Sequence, residues 1–205
     1  NNGLWNNHRV EDVASPMAWL QNPELVQDFY NARRKQLREV EPNAGHKALV
    51  KLEEKYRVNI VTQNVDNLHE RAGSSNILHL HGELNKVRSE KNPNLIHEME
   101  GWELNMGDLA SDGAQLRPHI VWFGEEVPLI SDAYELVIKA DILIVVGTSL
   151  SVYPAASLLH YAPKHCIGYY VDPKADEQPL SGINKVCATA SIGIPRLVDE
   201  LLNEV

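Results

Sequence analysis

Cysteine is nearly missing from this 205-residue chain: Cys166 and Cys187 are the only two, and no C-x-x-C occurs. A disulfide framework and a cysteine-built structural zinc are thereby set aside. Both thiols lie in or near apolar runs and read as buried free groups in a reducing compartment. No apolar run is long enough to cross a bilayer, and no secretory pattern opens the chain. Cytoplasm is the expected location, with no membrane partner. Aromatics make up only 6% of residues, so aliphatic packing must dominate the core. An excess of positive charge is also lacking: the net charge is −9, which argues against nucleic acid as a partner. Neither G-x-G-x-x-G nor a Walker loop is present, and there is no internal repeat. The chain opens on Asn1 rather than Met, so a preceding amino-terminal segment is expected.

What is there is an alternation of strands and helices. Asn1 to Val13 is polar and loop-like. Ser15-Pro16 reads as the N-cap and first residue of a helix, and Pro23 opens another to about Val40. Arg33, Arg34, Lys35 and Arg38 crowd the end of that second helix, where cations suit the macrodipole. Pro42-Asn43-Ala44 starts a helix ending near Tyr56, and Val58 to Thr62 is a buried strand. A short helix from Asn67 to Ala72 stops at Gly73, and Asn76 to Leu80 is a strand. Residues 84–115 are polar and read as an insertion, a subdomain or a mobile loop, with too few apolar residues for a core of their own. A helix over Ser131 to Lys139 and strands at Ile142 to Val146 and Tyr169 to Val171 follow. Pro154 opens a helix, and Leu197 to Leu202 is a terminal amphipathic helix with Pro195 near its start. This alternation predicts an α/β fold with a parallel sheet.

The chemistry-bearing residues cluster at strand ends. Gln63, Asn64, Asp66 and Asn67 follow the strand ending at Thr62, where open α/β sheets bind ligands. Helix capping accounts for one of these, not all of them. His81 before Gly82 is suited to act as a base near neutral pH, the plainer alternative being a satisfied core histidine. His79 shares its face if the strand is regular, but no third metal ligand is evident. Gly147-Thr148-Ser149 after the strongest strand offers amides and hydroxyls to phosphate oxygens. Tyr30 and Arg33 share a helix face and together could hold a carboxylate. Spacing alone favours a surface Tyr stacked beside an Arg.

Taken together, T-Q-N-V-D-N-L-H at 62–69, H-L-H-G at 79–82, R-P-H-I-V-W-F-G-E at 117–125 and G-T-S at 147–149 resemble the sirtuin family of NAD-dependent protein deacylases. The likeness runs from Gly3-Leu4-Trp5 to the carboxyl end, apart from about residues 89–115. The G-L-W…H-R-V-E-D-V-A stretch at 3–14 and Y-N-A-R at 30–33 are most similar to class III, with its bacterial enzymes and mitochondrial desuccinylases. The resemblance implies a Rossmann-like parallel sheet with helices on both faces and a small inserted subdomain, in one catalytic domain over 1–205. It implies NAD as cosubstrate and acylated lysine side chains of proteins as substrate. His81 is implied as the general base on a ribose hydroxyl, with Asn64 also catalytic. Gln63, Asn64 and Asp66 are implied at the nicotinamide ribose and carboxamide, Gly147, Thr148 and Ser149 at the ADP part, and Ala190 near the adenine. Val121, Phe123, Gly124 and Glu125 are implied along the acyl-lysine channel. Tyr30 and Arg33 match the pair that binds acidic acyl groups, which reverses the preference for a surface pair. The implied products are free lysine, nicotinamide and O-acyl-ADP-ribose.

The sequence departs from the family pattern in places. The first strand and Gly-rich loop, G-A-G-I-S, are absent, and the full protein is expected to carry them. The zinc cysteines are missing, with Ser89 where the first would fall, so the 84–115 insertion is expected to be metal-free and held by contacts around Trp102 and Leu104. Tyr170-Val171-Asp172 replaces a segment that meets the adenosine ribose through an Asn. The expected function is NAD-dependent lysine deacylation with acidic acyl groups preferred, by a monomer. The alternatives are protein mono-ADP-ribosyl transfer and a non-catalytic NAD or acyl-peptide binding module.

Overall fold

The computed structural model describes residues 8–203, so the Gly3-Leu4-Trp5 resemblance lies outside the described residues. In chain order, α1 (Val10–Val13), α2 (Pro16–Gln21), α3 (Pro23–Leu37) and α4 (Ala44–Leu52) come first. They are followed by β1 (Ile60–Thr62), α5 (Leu68–Ala72), β2 (Ile77–His79), β3 (Gly82–Ser89), β4 (Ile96–Glu98) and β5 (Leu116–Ile120). Last come α6 (Ile130–Val137), β6 (Ile142–Val146), β7 (Ile167–Val171), β8 (Asn184–Val186) and α7 (Ala190–Asn203). The chain divides into two compact units.

One unit takes the described part of Asn1–Val40, with Gln63–Asn67 and His81–Val127. Ser15 caps α2 through its Oγ, which accepts from Ala18 N at 3.0 Å, as the Ser-Pro pair predicts. The end of the first thirteen residues is helical, not looped: α1 buries Val13 completely against this unit's core. That core gathers Ala18, Trp19, Val26, Phe29, Tyr30, Leu84, Ile120 and Trp122. Four of these are ring residues and two of those are tryptophans, so a chain poor in aromatics concentrates them here. An antiparallel sheet of order β4-β3-β5 completes the unit. The polar 84–115 stretch therefore begins inside an eight-residue strand, which sets aside the mobile-loop alternative for its start. Its alternation is concealed because β3 carries charged residues at half-buried positions, Glu83, Lys86 and Arg88.

The other unit takes Glu41–Thr62, Leu68–Leu80 and Pro128–Val205 as far as they are described. Its ladders are parallel, β1 with β2 and β6-β7-β8, and no described strand is hydrogen-bonded between the two sets. Ile142, Ile144 and Val146 alternate onto one face of β6 and meet Val171, Ile194, Leu197, Val198 and Leu201. Helices α4 and α7 pack there. Gly193 permits the contact, since a Cβ on it would stand 2.6 Å from Val171 Cγ1. The helix α7 starts at Ala190, so Pro195 lies inside it rather than near its beginning. Proline in a helix interior costs about 3 kcal/mol. The buried stripe Ile194, Leu197, Val198 and Leu201 outweighs that, at roughly 1.5–3 kcal/mol per buried aliphatic side chain. Asn43 caps α4 in a capping box with His46, so the helix begins where Pro-Asn-Ala predicts. Residues 155–161 wind as a 3-10 helix instead of an α-helix. Cys187 is exposed and Cys166 half-buried, both free, because each lies just outside a strand, Cys166 before β7 and Cys187 after β8. No helix among the described residues is long and apolar enough to cross a membrane.

Candidate active site

The turn Leu80-His81 links β2 to β3, and it fixes the expected base. Gly82 makes the turn possible: its φ is +81°, and a Cβ there would lie 2.0 Å from His119 O in β5. His81 is half-buried, with Nδ1 3.2 Å from the Gln63 carbonyl oxygen. A carbonyl only accepts, so the neutral ring carries its hydrogen on Nδ1 and leaves the lone pair on Nε2. Burial lowers the His81 pKa below its ordinary 6.5, while the bond to Gln63 pulls the other way. A neutral imidazole with Nε2 as acceptor is the form a general base requires. His79 is held differently, with Nε2 2.7 Å from Glu70 Oε1 in the other unit. The two histidines thus have separate partners.

The polar segment after β1 lies in the same unit as His81. Gln63 and Asp66 are half-buried and Asn64 is exposed. Asn67 Oδ1 is buried with no hydrogen-bond partner, so this segment presents a polar atom that the protein does not satisfy. Leu84 N donates to Val65 O at 2.8 Å, tying the segment to β3. Such a donor and acceptor set suits the amide and hydroxyls of a nicotinamide ribose.

The expected substrate channel begins beside the base. Val121 N donates to His81 O at 2.9 Å, and Phe123 N donates to Ala14 O at 3.0 Å. Phe123 is 54% exposed, and Gly124 turns at φ +90°. Glu125 is engaged internally. Its carboxylate accepts from Arg117 Nη1 at 2.8 Å and Nη2 at 3.1 Å, from Arg88 Nη2 at 3.3 Å and from Trp122 N at 2.8 Å. Burial pushes this carboxyl's pKa up, but the Arg117 and Trp122 hydrogen bonds and the neighbouring cations outweigh it and hold it below the usual range.

Tyr30 and Arg33 are both buried, at 4% and 8% exposure, which excludes a solvent-facing pair. The Tyr30 oxygen accepts from Trp122 Nε1 at 3.1 Å. Burial drives its pKa far above the ordinary phenol range despite that bond, so the hydroxyl remains a donor. The Arg33 guanidinium sits 4.7 Å over the Phe29 ring and donates to Gln36 Oε1 at 3.3 Å. Sequence reasoning passed over Trp122, Arg117, Asn31 and Arg34. Arg34 suits the helix macrodipole by its place in the sequence, yet it is 3% exposed. It donates to Trp102 O at 2.8 Å and to Asn31 Oδ1 at 2.6 Å. Burial lowers its pKa to about 10. The signal that could have found it is Gln27, Asn31 and Arg34, a polar stripe at helical spacing beside an apolar one.

The ADP-side residues fall in the other unit. Gly147 follows β6 with φ +59°, and its N donates to Val171 O at 3.0 Å. Thr148 O accepts from the Tyr170 hydroxyl at 2.7 Å, and Thr148 Oγ1 accepts from Leu150 N at 3.2 Å. Ser149 Oγ is 2.6 Å from Ser151 Oγ. Tyr170 is thus used inside the fold, and Asp172 Oδ1 accepts from Lys174 N. Ala190 opens α7, its carbonyl oxygen 2.9 Å from where a Cβ on Gly45 would lie. Open space beside Gly147 and the hydroxyls after a parallel strand fit a dinucleotide's phosphates.

Comparison with known proteins bears on this arrangement. A family model described as "Sir2 family" matches residues 1–154. A Helicobacter pylori protein named "NAD-dependent protein deacylase" is 64% identical over 178 residues, spanning 87% of this chain and 76% of that protein. A Bacteroides thetaiotaomicron protein of the same name is 53% identical over 206 residues, spanning 98% of this chain and 88% of that protein. The crystal structure of a Sir2 homolog–NAD complex superposes with a TM-score of 0.88 at 36% identity, covering 100% of this chain and 82% of that one. A neutral histidine at a glycine turn, a parallel α/β unit and a family match over three quarters of the residues converge: the chain belongs to the Sir2 family.

Proposed function

We propose that this chain, an NAD-dependent protein-lysine deacylase, removes succinyl and malonyl groups in preference to acetyl. The observation that carries the preference is the buried Tyr30–Arg33 pair on α3. Tyr30 keeps its hydrogen, and Arg33 brings a cation that stays charged. A carboxylate at the end of the acyl chain would accept from both. One charge-assisted hydrogen bond contributes roughly 1.5–3 kcal/mol, or about one to two orders of magnitude in preference over acetyl-lysine.

Bound NAD supplies the ribose carbon that takes the acyl oxygen as nicotinamide leaves. The chain's residues orient and deprotonate around it. Gln63, Asn64 and Asp66 hold the ribose and carboxamide, and Gly147, Thr148, Ser149 and Ala190 serve the ADP part. His81 Nε2 removes a proton from a ribose hydroxyl. Val121, Phe123 and Gly124 line the acyl-lysine path. Glu125 serves it indirectly, by fixing the loop through Arg117. The products are free lysine, nicotinamide and O-acyl-ADP-ribose. The protein works as a cytoplasmic monomer without zinc, the 84–115 segment being held by hydrogen bonds, and nucleic acid is not a partner.

The test is turnover of succinyl-, malonyl- and acetyl-lysine peptides with NAD by the full protein and by Arg33→Met. Arg33→Met is expected to lose succinyl removal far more than acetyl removal. Equal losses would reject the carboxylate pocket. Labelled protein without free lysine would indicate mono-ADP-ribosyl transfer, and binding without turnover a non-catalytic module.

A further inference from the structure

We propose that Trp122 sets acyl specificity by fixing the Tyr30 hydroxyl as a donor to the carboxylate of an acidic acyl group. The proposal rests on the acidic-acyl reading of Tyr30 and Arg33 given above.

An indole N–H donates and never accepts, whereas a phenol does both. With Trp122 Nε1 3.1 Å away, the Tyr30 oxygen is the acceptor of that bond, and its own hydrogen must go elsewhere. Among the described residues no acceptor takes that hydrogen. A buried hydroxyl whose donor side is open is complementary to an acceptor brought by the substrate.

Trp122 can impose this because it cannot turn. It is 2% exposed, and the Arg117 guanidinium lies 3.3 Å over its ring. Glu125 grips Arg117 through both oxygens and also accepts from Trp122 N at 2.8 Å. Trp19 closes the assembly, with ring centroids 5.8 Å apart. On its other side Tyr30 meets Phe29 edge-on at 5.1 Å, and Phe29 carries Arg33 over its face. The loop that holds Val121 and Phe123 is thereby joined to the acyl-recognising pair through a single indole. Trp122 is a positioning residue, acting on the acyl group through Tyr30.

The test is a double-mutant cycle on the succinyl-to-acetyl ratio of kcat/KM, using wild type, Trp122→Phe, Tyr30→Phe and the double variant. Trp122→Phe is expected to lower the ratio about fivefold to tenfold, the worth of one neutral buried hydrogen bond, mainly through KM for the succinyl peptide. In the Tyr30→Phe background it should change the ratio no further. A folded Trp122→Phe protein with the wild-type ratio, or effects that multiply independently, would overturn the proposal.

A measurement without that variant covers the case in which it does not fold. In protein labelled with 15N at tryptophan, the Trp122 indole signal is identified by its displacement in Tyr30→Phe. It should shift with a succinyl-lysine peptide and not with an acetyl-lysine peptide, and equal behaviour with both contradicts the proposal. Absence of any succinyl preference in wild type removes the acidic-acyl reading and this inference together. A preference abolished by Tyr30→Phe but kept by Trp122→Phe removes this inference alone.

Discussion

Asn31 gives both ends of its side-chain amide to one residue: Oδ1 accepts from Leu104 N at 2.9 Å and Nδ2 donates to Leu104 O at 3.0 Å. A buried backbone unit of the 84–115 segment is thus satisfied by helix α3, one residue from Tyr30. Arg34 adds bonds to Trp102 O and to the same Asn31 oxygen. Asn31→Ala leaves two buried backbone groups without partners, each costing about 1–3 kcal/mol. The expected loss is about 2–4 kcal/mol in denaturant unfolding, with earlier proteolysis around residues 99–108. A variant as stable as wild type would show that the clamp contributes nothing.

Gly82 is the hinge of the expected base. Gly82→Ala would set a methyl group 2.0 Å from the His119 carbonyl oxygen, in a left-handed backbone. Backbone strain of about 1–3 kcal/mol adds to displacement of β5. Loss of more than about 3 kcal/mol of stability is expected, with turnover falling further than stability because His81 moves. Circular dichroism melting beside single-turnover kinetics separates the two effects.

The pH dependence of His81 has a definite sign. Its folded-state pKa is lowered by burial, so the folded state binds fewer protons than the unfolded state below pH 6.5. Its contribution to stability is complete above the unfolded value and is lost as pH falls through the folded one. His119 is lowered in the same direction, by burial and then by Arg88. The acid limb of kcat/KM should therefore lie below 6.5, and a limb at or above 6.5 would contradict this base. His81→Tyr should abolish turnover with the fold kept.

The segment around Ser89 is held by a set of hydrogen bonds, and the proposal that it needs no metal can be tested. Ser89 is 1% exposed, donates to Asp112 Oδ2 at 2.6 Å, and accepts from Lys91 N and Asn92 N, both at 3.1 Å. Gln115 Nε2 donates to Asn105 O and Asp108 O from the far end of the segment. Adding EDTA should leave the thermal midpoint where it was, whereas Ser89→Ala should lower it. Stoichiometric zinc in metal analysis, or a midpoint that drops with chelator, would refute the metal-free reading.

The sequence by itself determined the alternation of elements, the caps at Ser15 and Asn43, the strand Ile142–Val146 and the residue types at the strand ends. These follow from local propensity and short-range periodicity, which a chain carries wherever it folds. Other features were decided by tertiary structure. Composition leaves residues 84–115 open to an insertion, a subdomain or a mobile loop; the strand β3 exists because β4 and β5 pair with it. Helix α7 runs through Pro195 because a buried stripe repays the lost hydrogen bond. Arg34 reads as a surface cation until Trp102 and Leu104, far along the chain, place carbonyls and amides against the helix that carries it. Trp122 stands 92 residues from Tyr30, and nothing local marks that the indole N–H ends on that oxygen. Hydrogen bonds between distant residues depend on where the backbone returns, and only the packed core fixes that return.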